Sequence, residues 1–211
     1  MLTADDLAPE EDDRREAKRR LVAETRRLSE AVALLDAAAT SEDEMDALTA
    51  RLAAATAEVE SPPSLREQGL YAATGFASRL AERSPISGQS NPVAPPLRLW
   101  VDGDVTRGEA TYGAAYEGPP RLLHGGVVAA AFDEILSVAQ FLSGLAGYTG
   151  TLTVRMRRPT PLFQTIAYEA GVDRVDGRKI HVWGRSHCDG ELLAEAEGIF
   201  VSSGERRSDD D

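Results

Sequence analysis

Two adjacent carboxylates interrupt an apolar stretch near the middle of the chain. Asp133 and Glu134 separate the run Val127–Phe132 from the run Ile135–Ala139. A helix that is apolar on nearly every face is buried, so a carboxylate there costs free energy unless it is hydrogen-bonded or reaches a cleft. Burial raises the pKa of a carboxyl group, which suits a general base near neutral pH. The alternative is that both acids emerge at one edge of the helix and meet solvent.

The residues before this stretch carry a second signal. His124-Gly125-Gly126 leads into a predicted helix from about Val127 to Leu142. Glycines lack Cβ, so a ligand can approach their amides closely, and the first N–H groups of a helix are unpaired and lie at the positive end of its dipole. Such amides can stabilise an oxyanion on an attacked carbonyl, although two glycines before a helix also serve simple turns.

The spacing of these two signals limits how they can cooperate. Gly125 and Asp133 lie eight residues apart, which on an ideal helix is about 12 Å of rise and about 80° of rotation. Two groups so placed in one chain can hardly flank one carbonyl carbon. If both are catalytic, a symmetric dimer that pairs Gly125 of one subunit with Asp133 of the other would place the site across the interface.

The segments around this helix alternate apolar and polar residues, which predicts strands. Asp176-Gly177 and Asp189-Gly190 are hairpin signals, and Gly171 is a candidate bulge. The order β-β-α-β-β-β-β predicts an α+β domain whose six antiparallel strands curl around the buried helix. The predicted strands are Leu97–Val101, Val105–Tyr116, Tyr148–Arg158, Leu162–Val175, Lys179–Cys188 and Leu192–Val201.

The N-terminal third is helical in pattern. Residues 8–38 form one amphipathic run, and a second run begins at a capping box of Ser41 and Glu44 and ends at Ser61-Pro62-Pro63. Together they predict a helical hairpin, followed by a weaker third helix over Leu65–Arg83. The hairpin either covers the main domain or binds a partner. The leucines that repeat every seven residues in the first run are Leu21, Leu28 and Leu35.

A proline-rich connector from Ser84 separates this extension from the main domain. We divide the chain into residues 1–83, residues 84–203 and a polar tail, residues 204–211, expected to be disordered. The net charge of −12 argues against nucleic-acid binding. The single cysteine, the acidic N-terminus and the lack of an unbroken apolar run of about 18 residues predict a cytoplasmic protein without a membrane span.

Five segments of the main domain form a set: Glu117-Gly118-Pro119-Pro120, His124-Gly125-Gly126, Asp133, Arg157-Arg158-Pro159-Thr160-Pro161 and Asp176-Gly177-Arg178-Lys179. The set resembles the hotdog-fold acyl-CoA thioesterases, most closely the phenylacetic-acid-degradation type. The resemblance covers about residues 84–202 and not the N-terminal helices. It implies a long helix wrapped by an antiparallel sheet, homodimers or dimers of dimers, and two active sites at each dimer interface. The substrate would be an acyl-CoA, with no further cofactor.

The resemblance also implies a role for each catalytic candidate. Asp133 would activate water or attack the thioester carbonyl directly, and the Gly125 amide would polarise that carbonyl. Thr149 would hold the water or the acid, and His124 would shape the helix entry and orient the substrate. Glu134 is the reserve candidate for the acid.

Other residues are expected to contact the substrate, among them Gly126. Some relatives carry an Asn or Gln shortly before His-Gly-Gly to assist the catalytic group. This chain has none there, and Asn91 is the available substitute. Arginine binds phosphate well, so basic residues at strand ends either bind the phosphates of CoA or are simply solvated. The candidates are Arg157, Arg158, Arg178 and Lys179.

The sequence predicts no metal site and leaves two alternative functions open. His124, His181 and His187 are scattered, and Cys188 has no partner cysteine. One alternative is an enoyl-CoA hydratase of the same fold, a class that uses an Asp and a His together. The other is a non-catalytic acyl-CoA-binding or scaffold protein in which the helical arm does the main job.

Overall fold

The computed structural model describes residues 13–63 and 82–202. Most of the predicted third helix, Leu65–Arg83, and the predicted tail at residues 204–211 lie outside these ranges. The helices are α1 (Asp13–Ala33), α2 (Glu42–Glu60) and α3 (Gly125–Ala139), and the strands are β1 (Arg98–Asp102), β2 (Val105–Thr111), β3 (Gly147–Met156), β4 (Thr165–Asp176), β5 (Lys179–Cys188) and β6 (Glu191–Ser202).

All six strands form one antiparallel sheet in the order β1-β2-β4-β5-β6-β3. Helix α3 packs on this sheet, with Phe132, Ile135 and Leu136 wholly buried. The predicted α+β architecture, a central helix against a six-stranded sheet, is confirmed. Within the described ranges, Gly125–Ser143 is the one helical stretch whose length and composition would suit a membrane span. Half of that stretch is buried in the protein, as expected of a core helix.

Two predicted strands are shorter than expected because the chain turns at their ends. β2 stops at Thr111, and Ala114–Tyr116 forms a 3₁₀ turn instead. β4 begins at Thr165 rather than Leu162, since Phe163 has a positive φ of 62° and donates its N–H to the carbonyl of Tyr112. Both ends are fixed by contacts between segments far apart in sequence, which local alternation does not reveal.

The hairpins form where predicted, but the bulge does not. Asp189 and Gly190 have φ of 48° and 81°, as a two-residue turn with both positions left-handed requires. Gly171 was the predicted bulge, yet it pairs regularly with Trp183, and the register shifts between Val172 and Arg174. A Cβ at Gly171 would lie 3.1 Å from the indole ring of Trp183, so a larger residue there would require the ring to shift.

Helix α1 docks on the main domain through a polar face. Arg19 pairs with Glu82, and the Glu30 carboxylate accepts from the Ala114 amide at 2.9 Å. Val22 is its one buried residue. The apolar stripe of Leu21, Leu28 and Leu35 does not face the main domain. These three side chains are exposed. Arg26 belongs to the same docked face as Arg19 and Glu30, and it donates to the carbonyls of Gly88 and Asn91. The docked residues therefore recur every three or four positions and share one side of the helix.

Helix α2 begins at the predicted capping box, but it does not form the predicted hairpin with α1. The side chains and amides of Ser41 and Glu44 form the reciprocal capping box, with the Ser41 amide 3.0 Å from Glu44 Oε2. No residue of α2 is buried, and Leu48 and Leu52 remain exposed. The apolar faces of α1 and α2 therefore do not pack together as a hairpin would, because α1 is oriented by its polar contacts to the main domain.

Candidate active site

Asp133 faces the start of β3, which is one of the two edge strands of the sheet. The hydroxyl of Thr149 donates to Asp133 Oδ1 at 3.0 Å. Thr149 is exposed and Asp133 is half-buried, so solvent reaches this end of the strand. Oδ2 of Asp133 has no hydrogen-bond partner among the described residues. A carboxylate held by one oxygen, with the other open towards solvent, can accept a proton from a water molecule.

The start of α3 presents one unpartnered amide. His124 caps the helix, and its Nδ1 accepts from the Gly126 amide at 3.0 Å. The amide of Gly126 is therefore engaged and less suited to contact substrate than predicted. The Gly125 amide has no acceptor within the described parts of the chain. A Cβ on Gly125 would lie 3.2 Å from Cε of Met156, so Gly125 lies beside the far end of β3.

Asp133 and Gly125 thus lie towards opposite ends of the same strand. Thr149 marks one end and Met156 the other. At about 3.3 Å per residue, and allowing for the bulge between Thr149 and Thr151, these positions are about 20 Å apart. The strand positions are thus farther apart than the rise of about 12 Å between Gly125 and Asp133 along the helix, and neither separation lets both groups reach one carbonyl group.

Glu134 points to a different neighbour. The Ser87 hydroxyl donates to Glu134 Oε1, which joins α3 to the connector before β1. The contact spans 47 positions of sequence, and no local pattern signals it. The two adjacent acids therefore have separate environments, and only Asp133 contacts β3.

Asn91, the predicted helper, is used by the connector itself. Its Nδ2 donates to the carbonyls of Arg83 and Ser84 at 3.2 and 3.3 Å, and its Oδ1 accepts from the Val93 amide at 3.0 Å. With both ends of the amide engaged, Asn91 shapes this loop and is not brought to Asp133. The prediction that Asn91 assists the acid is not supported by this geometry.

The four basic candidates divide between the two ends of the sheet. Arg157 and Arg158 follow the far end of β3 and form exposed ion pairs with Glu195 and Glu191 at 2.9 and 3.2 Å. Lys179 stands opposite Val201, and Val201 stands opposite Tyr148, beside Thr149. The carbonyl of Ser202 accepts from Arg178 Nε at 2.8 Å. Arg178 and Lys179 therefore lie at the Asp133 end, and Arg157 and Arg158 at the Gly125 end.

Two buried tyrosines lie between the sheet and α3. The hydroxyls of Tyr112 and Tyr168 hydrogen-bond at 2.9 Å, and the Tyr168 ring meets Phe132 edge-on with centroids 5.8 Å apart. Burial raises the pKa of Tyr112 to about 12, and it also raises the pKa of Tyr168. Both remain neutral at physiological pH and fix Phe132, the neighbour of Asp133. In the same described ranges, no three His, Cys, Asp or Glu side chains gather in a way that could hold a metal ion.

Comparison with solved structures assigns the chain to a family. No family model matches the chain. A crystal structure of a thioesterase superfamily protein, however, is 31% identical to it with a TM-score of 0.73, over 92% of this chain and 96% of that protein. The chain belongs to the thioesterase superfamily. The predicted resemblance to hotdog-fold thioesterases is thereby confirmed. It was expected to cover only about residues 84–202, whereas this match covers 92% of the chain.

Two curated acyl-coenzyme A thioesterases resemble part of the chain. Acyl-coenzyme A thioesterase THEM4 of Xenopus laevis is 35% identical over 92 residues, and acyl-coenzyme A thioesterase THEM5 of Homo sapiens is 29% identical over 91. Each match covers 42% of this chain, but only 41% and 37% of these relatives. The chain thus spans about two fifths of their length.

Proposed function

We propose that the chain hydrolyses an acyl-CoA thioester to a free acid and CoA, with Asp133 as the catalytic carboxylate. The hydrogen bond from Thr149 to Asp133 at the open end of β3 is the observation that carries this proposal. The names of the curated relatives support the reaction class. Asp133 has a threonine as its partner, and no histidine contacts it among the described residues, which favours hydrolysis over the hydratase alternative.

The chemistry requires a base and an oxyanion donor. Asp133 Oδ2 takes a proton from water while the water oxygen attacks the thioester carbonyl carbon. The Gly125 amide donates to the carbonyl oxygen as negative charge develops there. The C–S bond then breaks, and the CoA thiolate takes up the proton. The alternative is direct attack by Asp133 on the carbonyl carbon, which breaks the C–S bond, releases the CoA thiolate and forms a mixed anhydride. Water then hydrolyses the anhydride to the free acid and the Asp133 carboxylate, and the proton released goes to the thiolate.

The site is proposed to lie between two copies of the chain. β3 is a ten-residue edge strand with one side of its backbone unpaired, a surface that readily pairs with another strand. Antiparallel pairing of two β3 strands would bring Gly125 of one copy beside Asp133 and Thr149 of the other. This arrangement would overcome the separation of Gly125 and Asp133 within one chain, about 12 Å along the helix axis.

The same pairing suggests how CoA is bound. Arg178 and Lys179 lie at the Asp133 end, and the second copy would bring its Arg157 and Arg158 to that end. The ion pairs of Arg157 and Arg158 are solvent-exposed, and such pairs contribute about 0–1 kcal/mol. Phosphate groups can therefore replace the glutamates at little cost.

Thiol release from a panel of acyl-CoAs, short, long and aryl, tests the reaction. We expect turnover on at least one, reduced about a hundredfold or more by Asp133→Asn, the loss expected for a general base. Glu134→Gln is the matched control, because Glu134 is the adjacent acid bonded to Ser87, and its effect should be much smaller. Binding of acyl-CoA without turnover on the whole panel would contradict the proposal and favour the non-catalytic alternative.

A further inference from the structure

Helix α1 contacts the segment of the main domain that leads into α3. The carboxylate of Glu30 accepts from the Ala114 amide at 2.9 Å, across 84 positions of sequence. Ala114 begins the 3₁₀ turn Ala114–Tyr116, and Gly113 before it has no side chain that could cap the turn. The first amides of a helical turn lack partners within it, so a carboxylate from elsewhere can satisfy one of them. Glu30 therefore supplies from α1 the cap that the turn lacks.

Gly113 allows Glu30 to approach the turn this closely. A Cβ at Gly113 would collide with the Glu30 carboxyl group, and the three atoms nearest to that Cβ all belong to this group. Gly113 has φ −92° and ψ −173°, an extended conformation that other residues also adopt. A side chain at Gly113 would therefore be strained by nothing except the Glu30 carboxylate, which it would push away from the Ala114 amide.

The capped turn in turn holds the residue that caps α3. The Tyr116 amide donates to the Gly113 carbonyl at 3.1 Å, and the Tyr116 carbonyl accepts from the His124 amide at 3.0 Å. The backbone also passes close to His124 at Gly118, where a Cβ would lie 2.8 Å from the His124 Cα. His124 is the N-cap of α3 and directly precedes Gly125. Two backbone hydrogen bonds thus connect the turn that Glu30 caps with the start of α3.

The segment between the turn and His124 is attached to the rest of the protein at both ends. At its far end, the Leu123 amide donates to the Thr160 carbonyl at 2.9 Å. At its beginning, the Tyr116 ring meets the buried Tyr112 ring edge-on, with centroids 5.9 Å apart, and Glu30 holds the Ala114 amide. Close packing of this kind transmits a displacement instead of absorbing it.

We propose that Glu30 is a positioning residue for the candidate active site, acting through the turn Ala114–Tyr116 and His124 on the Gly125 amide. The inference rests on the proposed function, in which that amide is the oxyanion donor. Such a donor must lie where negative charge develops in the transition state, and a misplacement of about 1 Å can cost about a hundredfold in rate. Helix α1 then contributes to turnover and not only to the stability of the fold.

Steady-state kinetics of Glu30 variants test the proposal with the acyl-CoA that the wild type hydrolyses fastest. Glu30→Ala should lower kcat about fivefold or more and leave KM nearly unchanged, because the oxyanion donor acts in the transition state. Glu30→Gln keeps an acceptor oxygen and should retain most of the activity. Glu24→Ala is the matched control, since Glu24 is an acid on the same helix, 67% exposed and paired with Arg27. Unchanged kcat in Glu30→Ala, or a raised KM with unchanged kcat, would overturn the positioning role.

Gly113→Ala disrupts the same contact from the other side. It should reproduce the loss of kcat seen in Glu30→Ala. The double variant Glu30→Ala/Gly113→Ala should be no slower than Glu30→Ala alone, because residues that share one contact have non-additive effects. Losses that multiply in the double variant would show that the two residues act separately, which would contradict the proposal.

Hydrogen exchange of backbone amides separates this proposal from the proposed hydrolysis, since it requires no substrate. Glu30→Ala should accelerate exchange at the Tyr116 and His124 amides and leave exchange in β5 unchanged. Equal exchange at Tyr116 and His124 in variant and wild type would show that the turn does not depend on Glu30. Faster exchange in β5 as well would show general destabilisation, and either result would overturn the proposal. A wild type that hydrolyses no acyl-CoA would sink the proposed function, while the exchange rates would still decide whether Glu30 holds the turn.

Discussion

Thr149 at the start of the edge strand donates its hydroxyl proton to Oδ1 of Asp133 on the central helix, across 3.0 Å. Among the described residues, this is the one side-chain hydrogen bond between the candidate acid and the sheet. It orients the carboxylate and leaves Oδ2 open towards solvent. The orientation of the acid thus depends on how the helix is placed against the start of β3.

Loss of this hydroxyl should lower turnover without unfolding the protein. A hydrogen bond to a charged group contributes about 1.5–3 kcal/mol, so Thr149→Val should reduce kcat by about tenfold or more. Thr149→Ser, which keeps the hydroxyl, should retain most of the activity. Thr153→Val, at another exposed position of β3, serves as the control. Equal kcat in Thr149→Val and wild type would show that Thr149 does not position the acid.

The buried tyrosine pair should show strong coupling. Tyr168→Phe removes one hydroxyl and leaves that of Tyr112 buried without its partner, which costs about 1–3 kcal/mol. The double variant Tyr112→Phe/Tyr168→Phe removes both and should be more stable than the sum of the single variants predicts. Urea unfolding of the four proteins measures this. Strict additivity would mean that the two hydroxyls do not interact.

The same pair predicts a loss of stability in alkaline solution. Burial raises the pKa of Tyr112 from 10.0 to about 12, so the folded state retains a proton that the unfolded state has already lost. The contribution is fully present below pH 10.0 and is lost as the pH rises towards 12. The free energy of unfolding should therefore fall more steeply over this interval in wild type than in Tyr112→Phe. Parallel curves for the two proteins would contradict the assigned pKa.

The central elements were predictable because their signals are local. The all-round apolar character of α3 predicted burial, strand alternation predicted the sheet, and Asp189-Gly190 predicted its hairpin. The pairing of Asp133 with Thr149 followed from the family resemblance rather than from periodicity. Contacts between distant segments were not predictable in this way.

Two examples show why. Ser87 bonds to Glu134 across 47 positions, with nothing in either neighbourhood to indicate it. The docking face of α1 was missed because a heptad of leucines is a stronger pattern than the spaced Arg19, Arg26 and Glu30. The polar contacts of that face depend on carbonyls and amides of the connector and of the turn after β2, whose positions only the folded chain provides.

The proposal that two copies share one site can be tested with two variants. Gly125→Pro removes the proposed oxyanion donor, and the backbone allows it: proline suits the first helical position, and His124 has φ −62° and ψ 131°, a conformation that proline tolerates in the preceding residue. Gly125→Ala keeps the amide and is the control. Both Gly125→Pro and Asp133→Asn should fold but show little turnover alone.

Mixing these two inactive variants, Gly125→Pro and Asp133→Asn, tests the central claim most directly. In a mixed dimer, one site would combine the intact Asp133 of one copy with the intact Gly125 of the other. After exchange of subunits, verified by co-purification of differently tagged copies, thioesterase activity should return to about a quarter of wild type, since about half the dimers are mixed and each has one complete site. A verified mixture no more active than its components would contradict a site shared between two chains.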